Sequence, residues 1–284
     1  MSRSLEELIN SSVIIVDKHA GPTSHQISGW LRDILGLKKV GHTGTLDPMV
    51  TGVLPILLGN VVKAMPLFAG IDKEYVGVMH LHHEVPREKL DETLKEFVGK
   101  IKQTPPKKSA VARHEREREV FSFEILEVDG KDVLFRTKCE AGTYIRKLCH
   151  DIGQRLEVGA HMSELRRTRA GPFTEGQAHS LTEIKDMFEL SRMEEILIPI
   201  EKAMSHAKKV FAKDSALESV MKGAPLYVSG VVKSDENIIR GETVAMISEE
   251  GKLAAIGIAK MDSGEMSKRK KGTAVRTDRI LARV

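Results

Sequence analysis

The periodicity of the chain changes near Ser205, and this change restricts the fold more than any single motif does. Before it, strand-like and helical segments alternate. After it, helical spacing fades and short apolar strands separated by glycine turns take over. Ala224-Pro225-Leu226-Tyr227-Val228, Thr243-Val244-Ala245-Met246-Ile247 and residues 253–259 are such runs, with turns at Ser229-Gly230, Arg240-Gly241 and Glu250-Gly251. Short strands at even spacing predict a small barrel. The 284 residues suffice for one large domain and one small one, placed here at 1–204 and 205–284.

In the first part, Val13-Ile14-Ile15-Val16 reads as a buried strand. Ser24 reads as the cap of a helix whose apolar positions are Ile27, Trp30, Leu31, Ile34 and Leu35, with Gly36 ending it. That spacing puts Trp30 in the core. Residues 53–58, 75–83 and 131–139 read as strands, and Tyr75, Gly77, Met79 and Leu81 share one face. Residues 87–98 and 144–156 read as helices. The pattern predicts an α+β fold, a mixed central sheet flanked by helices, followed by the barrel. Residues 102–109 form a basic loop punctuated by Pro105-Pro106. The next segment, 113–118, alternates in sign. As a strand it places His114, Arg116 and Arg118 on one face and Glu115 and Glu117 on the other. An RNA-facing surface and an ion-paired solvent face suit that pattern equally well.

Hydrophobic content of 41% and charged content of 30% fit a soluble globular protein. There is no apolar run near the length of a membrane span and no signal-peptide core, so a cytoplasmic protein without a membrane partner is expected. Cys139 and Cys149 fit no metal-ligand spacing and read as reduced core thiols. His80, His82 and His83 lack convergent partners, so no metal is expected. The net charge is +4, but residues 207–284 hold 15 basic against 10 acidic side chains, leaving 29 against 30 elsewhere. Lys268-Arg269-Lys270-Lys271 leads this excess and suits a phosphate backbone; alone, it suits a solvated loop slightly better.

Residues 39–48 are the chemically suggestive stretch. Within them Asp47 is a lone carboxylate, followed by Pro48, which favours an extended conformation before it. Gly41 and Gly44 read as turn positions where a side chain would clash. A stiff loop presenting Asp47 and His42 is expected. Gly-His-Thr-Gly lacks the Lys-Ser/Thr ending of a phosphate-cradling loop, which argues against nucleotide hydrolysis. Without a second carboxylate, a catalytic Asp47 and a turn-capping Asp47 are equally good readings.

Gly41-His42-Thr43-Gly44-Thr45-Leu46-Asp47-Pro48, followed by Thr51-Gly52-Val53-Leu54-Pro55, resembles the catalytic motif of the TruB/dyskerin family of pseudouridine synthases. Further blocks match in order. They are Asp17-Lys18-His19-Ala20-Gly21-Pro22-Thr23-Ser24-His25, Lys73-Glu74-Tyr75 with Glu140-Ala141-Gly142-Thr143-Tyr144-Ile145-Arg146, and residues 159–173. Gln103-Thr104-Pro105-Pro106 and Ser109-Ala110-Val111 are similar to the archaeal, guide-RNA-dependent branch. Gly223-Ala224 and Gly241-Glu242-Thr243-Val244 resemble a PUA domain, the family's RNA-binding barrel.

The resemblance implies isomerisation of uridine. The N1–C1′ bond breaks, the uracil turns, and C5 rejoins the sugar, with no cofactor or metal. The target base must leave its stack. Asp47 is then the catalytic carboxylate, in a pocket that excludes water; attack on sugar, attack on base and removal of a sugar proton all stay open. Tyr75 stacks on the flipped uracil and can take the C5 proton. Arg146 pairs with Asp47 and orients it. Tyr144 packs beneath the base, and His42 fills the space that the nucleotide leaves. Lys18 and Gly21 shape the first strand and its turn. The run Arg166-Arg167-Thr168-Arg169 on its own reads as a solvated helix end. His19 stands where the family's block has proline, which loosens the turn beside Lys18. The implied partners are a guide RNA, a target RNA, chiefly ribosomal, and small H/ACA ribonucleoprotein proteins. The alternatives are a stand-alone synthase for the T-loop of transfer RNA and a non-catalytic RNA-binding scaffold.

Overall fold

The computed structural model describes residues 4–104 and 114–281. Of the loop expected at 102–109, residues 105–109 lie outside them, as do Ser109-Ala110-Val111, Arg113 and Arg283, while Lys102 and Gln103 end a strand instead, paired across an antiparallel ladder. Helix α1 (Leu5–Asn10) leads into β1 (Ser12–Lys18), α2 (Ser24–Ile34), β2 (Val40–His42) and β3 (Thr51–Leu58). A 3-10 segment (Gly59–Phe68) then leads to β4 (Lys73–Leu81) and α3 (Arg87–Lys95). Strands β5 (Gly99–Gln103), β6 (Arg116–Asp129) and β7 (Asp132–Cys139) precede α4 (Ile145–Arg155) and β8 (Ala160–Ala170). Short strands β9 (Phe173–Thr174), β10 (Ala178–His179) and β11 (Ile198–Pro199), with helices α5 (Leu181–Glu189) and α6 (Ile200–Ala203), complete this part. Among the described residues they make one mixed 11-stranded sheet, ordered β10-β1-β3-β8-β4-β7-β6-β5, with β2, β9 and β11 attached at β3, β8 and β1.

The C-terminal part holds β12 (Lys209–Ala212), α7 (Asp214–Val220), β13 (Leu226–Tyr227), β14 (Val231–Ser234), β15 (Thr243–Ile247), β16 (Leu253–Ala259), α8 (Ser263–Lys268) and β17 (Thr273–Ile280). Its 6-stranded sheet, ordered β13-β17-β16-β15-β12-β14, curls into a nearly closed barrel.

β1 and β3 are apolar on both faces because each face meets a core. Ile14, Val16, Leu54 and Ile56 point into one cluster. Val13, Ile15, Val53 and Leu57 point into another, which continues through Phe68 and Phe173 to Ala245, Ile247, Leu253 and Ile256 of the barrel. His206 Nε2 donates to the Leu67 carbonyl at 2.8 Å across the same junction. In β4 the alternation is as the spacing predicts, with Lys73, Tyr75, Gly77, Met79 and Leu81 inward.

Three local expectations are corrected. Thr23, not Ser24, caps α2, accepting from the Gln26 N–H in a capping box. Trp30 is 44% exposed. The buried stripe of α2 runs through Ser24, Ile27, Ser28 and Leu31, which leaves Trp30 off its flank. Arg166 to Arg169 lie in strand β8, not at a helix end. Glu117 of β6 pairs with Lys100 at 2.9 Å, and Glu115, just before β6, pairs with Lys102 at 3.3 Å, so the acidic face of that segment is ion-paired.

Candidate active site

The loop carrying Asp47 has no regular structure of its own and is held from three elements. From β1, Lys18 Nζ donates to the carbonyls of Pro48 at 2.8 Å, Val50 at 2.9 Å and His19 at 3.0 Å. From α2, the Ser24 hydroxyl accepts from the Leu46 N–H at 2.8 Å and donates to the Leu46 carbonyl at 3.0 Å. From β8, Arg167 Nη2 donates to the Gly44 carbonyl at 3.0 Å and Nε to the Val53 carbonyl at 2.7 Å. Among the described residues the buried charged side chains are Lys18, Lys73 and Arg167, and all three lie against this loop or its flanks. A buried cation needs acceptors in place of water. Here those acceptors are backbone carbonyls, so each charge fixes a stretch of chain.

Gly52, the register partner of Arg167 in β3, permits this packing. Its φ is +99°, and a Cβ would lie 2.3 Å from the Arg167 carbonyl oxygen. Gly41 and Gly44 part ways. Neither has a positive φ, but a Cβ on Gly41 would lie 2.9 Å from Met65 Cε, so the expected clash holds there, whereas one on Gly44 would find its nearest neighbour at 3.6 Å. The loop is shaped by Lys18, Ser24 and Arg167 rather than by glycine torsions.

Asp47 forms an ion pair with Arg146, which stands in the first turn of α4. Their side chains are 53% and 56% exposed, so the crevice is open rather than dry. Tyr75 is buried on the inner face of β4, with the Arg167 guanidinium beside its phenol and the Asp47 charge near enough to act on it. Tyr144 is the extended residue at the start of α4, φ −92° and ψ 100°. Buried Gln103 holds its backbone, accepting from the Tyr144 N–H at 3.0 Å and donating to its carbonyl at 3.2 Å. Tyr144 and Arg146 thus leave one fixed junction.

The His42 ring lies between Ser28 Oγ, 3.2 Å from Nδ1, and Thr45 Oγ1, 3.3 Å from Nε2. The Ser28 hydroxyl donates its proton to the Ser24 carbonyl at 2.9 Å. Its oxygen therefore accepts from Nδ1–H, which leaves Nε2 to accept from Thr45. Burial, then the charges of His25 and Arg167, hold this imidazole below its usual range and keep it neutral.

Burial likewise governs the cations. It lowers Lys18, against the pull of Asp47. It brings Lys73 down to about 8, helped by the Arg167 charge. Burial raises the Tyr75 phenol, and the Arg167 charge works in the opposite direction.

The basic run lies elsewhere. Lys268 ends α8, the run is exposed, and Arg269 Nη2 donates to Glu265 at 2.6 Å. Cys139 and Cys149 are buried thiols, both pushed up to about 12 by burial. His80 bonds Asp132 at 2.7 Å and His82 bonds His161 at 3.2 Å; among the described residues no group of three such side chains could hold a metal. No helix there is long and apolar enough to cross a membrane. Arg167, Ser24, Ser28 and Gln103 were not legible as site residues, because each acts through a backbone or side chain distant in sequence.

Family models match in succession. The N-terminal domain of TruB family pseudouridylate synthases matches residues 32–87 and 82–145, the tRNA pseudouridylate synthase B C-terminal domain matches 146–205, and the PUA domain matches 208–281. A Methanopyrus kandleri protein named "Probable tRNA pseudouridine synthase B" is 46% identical across 98% of this chain and 85% of its own length. A Nanoarchaeum equitans protein of the same name is 46% identical across 98% and 82%. A chain in the crystal structure of a Cbf5-Nop10-Gar1 complex is 45% identical with a TM-score of 0.95, over 99% of this chain and 88% of that one. Another, from an archaeal box H/ACA sRNP Nop10-Cbf5 complex, is 44% identical with a TM-score of 0.90, over 99% and 89%. A synthase sheet joined to a PUA barrel defines an RNA-modifying isomerase. The chain belongs to the TruB family of pseudouridylate synthases.

Proposed function

We propose that the chain converts uridine to pseudouridine at sites chosen by a box H/ACA guide RNA, with Asp47 as the catalytic carboxylate. The observation that carries the reading is the Asp47–Arg146 pair on a loop held by three buried anchors, beside buried Tyr75. Asp47 works at the ribose–uracil junction. Arg146 aims it, Tyr75 and Tyr144 sandwich the flipped base, and neutral His42 occupies the vacated stack. A seated base covers the open crevice and displaces water from the carboxylate. Base–aromatic stacking contributes about 1–3 kcal/mol per base. Residues 1–204 act as the synthase domain. Residues 205–284 grip the guide, with Lys268, Arg269, Lys270 and Lys271 along its phosphates. Small proteins of the H/ACA particle dock on the synthase domain, and the setting is cytoplasmic. The likeness to chains solved with Nop10, with Gar1 and with a substrate RNA supports this reading.

Asp47→Ala should abolish pseudouridine formation, mapped chemically on target RNA, and leave RNA binding nearly unchanged. Retained turnover would refute the role of Asp47. The names of the relatives favour a second reading, a stand-alone enzyme acting on transfer RNA. Pure protein that modifies the T-loop at full turnover, without guide or partners, would establish it.

A further inference from the structure

We propose that Arg167 is the positioning residue for Tyr75: it holds the phenol in register with the Asp47 loop and places a fixed positive charge beside it. This rests on the reading of Tyr75 as the group facing C5 of the uracil. Three observations carry it. First, Arg167 is the largest fully buried side chain among the described residues, and its hydrogen bonds go to the carbonyls of Val53 and Gly44 rather than to a carboxylate. An ion without a counter-charge costs stability there, so a purpose beyond packing is the reason to look for.

Second, a β-bulge delivers it. Lys73 pairs with Ala170 and Glu74 with Arg169, but Tyr75 pairs with Arg167, so Thr168 is the extra residue. Its hydroxyl donates to Glu74 Oε1 at 2.9 Å instead. Directly opposed residues of an antiparallel pair share a face. Without the bulge Tyr75 would oppose Thr168 and Arg167 would oppose Val76. Bulges recur beside active sites because they re-aim side chains.

Third, the same guanidinium holds the Gly44 carbonyl, three residues before Asp47. One side chain therefore fixes the phenol and the carboxylate loop in a common frame.

The charged and titratable groups acting on the phenol are Arg167 from β8, Cys139 from β7 and Asp47 from the loop. Lys73 lies two residues back on the same inner face of β4. Cys139 stays protonated, which leaves Arg167 as the group that opposes burial most. In the reaction the bond from C1′ to N1 is exchanged for one to C5. The C5 hydrogen leaves as a proton to the Tyr75 phenolate, which becomes the neutral phenol; N1 takes a proton from solvent and the phenol later returns its own to solvent, so the proton count is conserved.

The test uses full-length protein with 13Cζ-labelled tyrosine, of which the chain has only 3. Tyr75 is assigned by the signal missing in Tyr75→Phe. Arg167→Lys and Arg167→Met should move the Tyr75 titration to higher pH. With guide, partners and target present, kcat should fall by roughly a hundredfold in Arg167→Met. KM should hold, the rising limb of the rate profile should move to higher pH, and Arg167→Lys should restore part of the rate. An unchanged Tyr75 titration in Arg167→Lys overturns the proposal. Should both Arg167 variants fail to fold, Tyr75→Phe, which removes only a hydroxyl, should shift the Arg167 guanidinium 15N signals. Unshifted signals overturn it equally. Wild-type protein that forms no pseudouridine would defeat the functional reading alone, since the titration is read without turnover.

Discussion

The two functional ends of this molecule handle positive charge in opposite ways. Around Asp47, Lys18, Lys73 and Arg167 are buried, and each donates to backbone carbonyls. In the barrel, Lys268 to Lys271 are exposed, and Arg269 already answers to Glu265. A buried charge in low dielectric is strong and short of partners, so it dictates local geometry. An exposed charge is screened and mobile, so it attracts a polyanion without fixing its own surroundings. The first kind builds the candidate site; under the proposed function the second kind draws RNA to it.

This contrast can be broken at four points, in falling order of effect. Gly52→Ala should cost about 3 kcal/mol in thermal unfolding, since the new Cβ meets the Arg167 backbone in a strained torsion. A near-neutral result would mean that Arg167 is less tightly seated than its carbonyl contacts require. Lys73→Met tests the cost of burial. Lys73 sits at about 8 when folded, against an ordinary lysine value of 10.5. Between those limits the unfolded chain retains a proton that the folded chain has released, so stability rises with pH across that window. Below about 8 the penalty is fully present. Urea unfolding from pH 7 to 11 should show a rise of about 2–3 kcal/mol in the wild type that Lys73→Met lacks. A rise of equal size in the variant would assign the pH dependence to other groups. Ser24→Ala removes both bonds to Leu46 and should cost about 1–2 kcal/mol, with a matching loosening of the Asp47 loop in amide exchange. Replacing Lys268, Arg269, Lys270 and Lys271 with alanine should leave stability alone. It should lower the salt slope of guide-RNA binding by roughly 2–3. An unaltered slope would return that run to plain solvent.

Strand β4 was legible because its inward residues repeat every second position, and β1 because four apolar residues in a row suit a strand covered on both faces. The helix over Ile145–Arg155 was legible from its period. The site was legible chiefly through resemblance. Asp47 and Arg146 stand 99 residues apart, and no local pattern joins them. Arg167 escaped because its inward turn depends on a one-residue bulge against β4, which belongs to the pair and not to β8 alone. Trp30 escaped for a related reason: α2 buries serines that hold the loop, and this rotates the tryptophan outward. Gly44 looked obligatory from its type, but its space and torsion are ordinary.

The apolar cluster that runs unbroken from Phe68 and Phe173 into Ala245, Ile247 and Ile256 has a mechanical consequence. Domains joined by a polar seam pivot; domains that share hydrocarbon do not. The barrel is therefore held at a constant span from Asp47. Under the proposed function the molecule works as a gauge block for an RNA gripped at its far end.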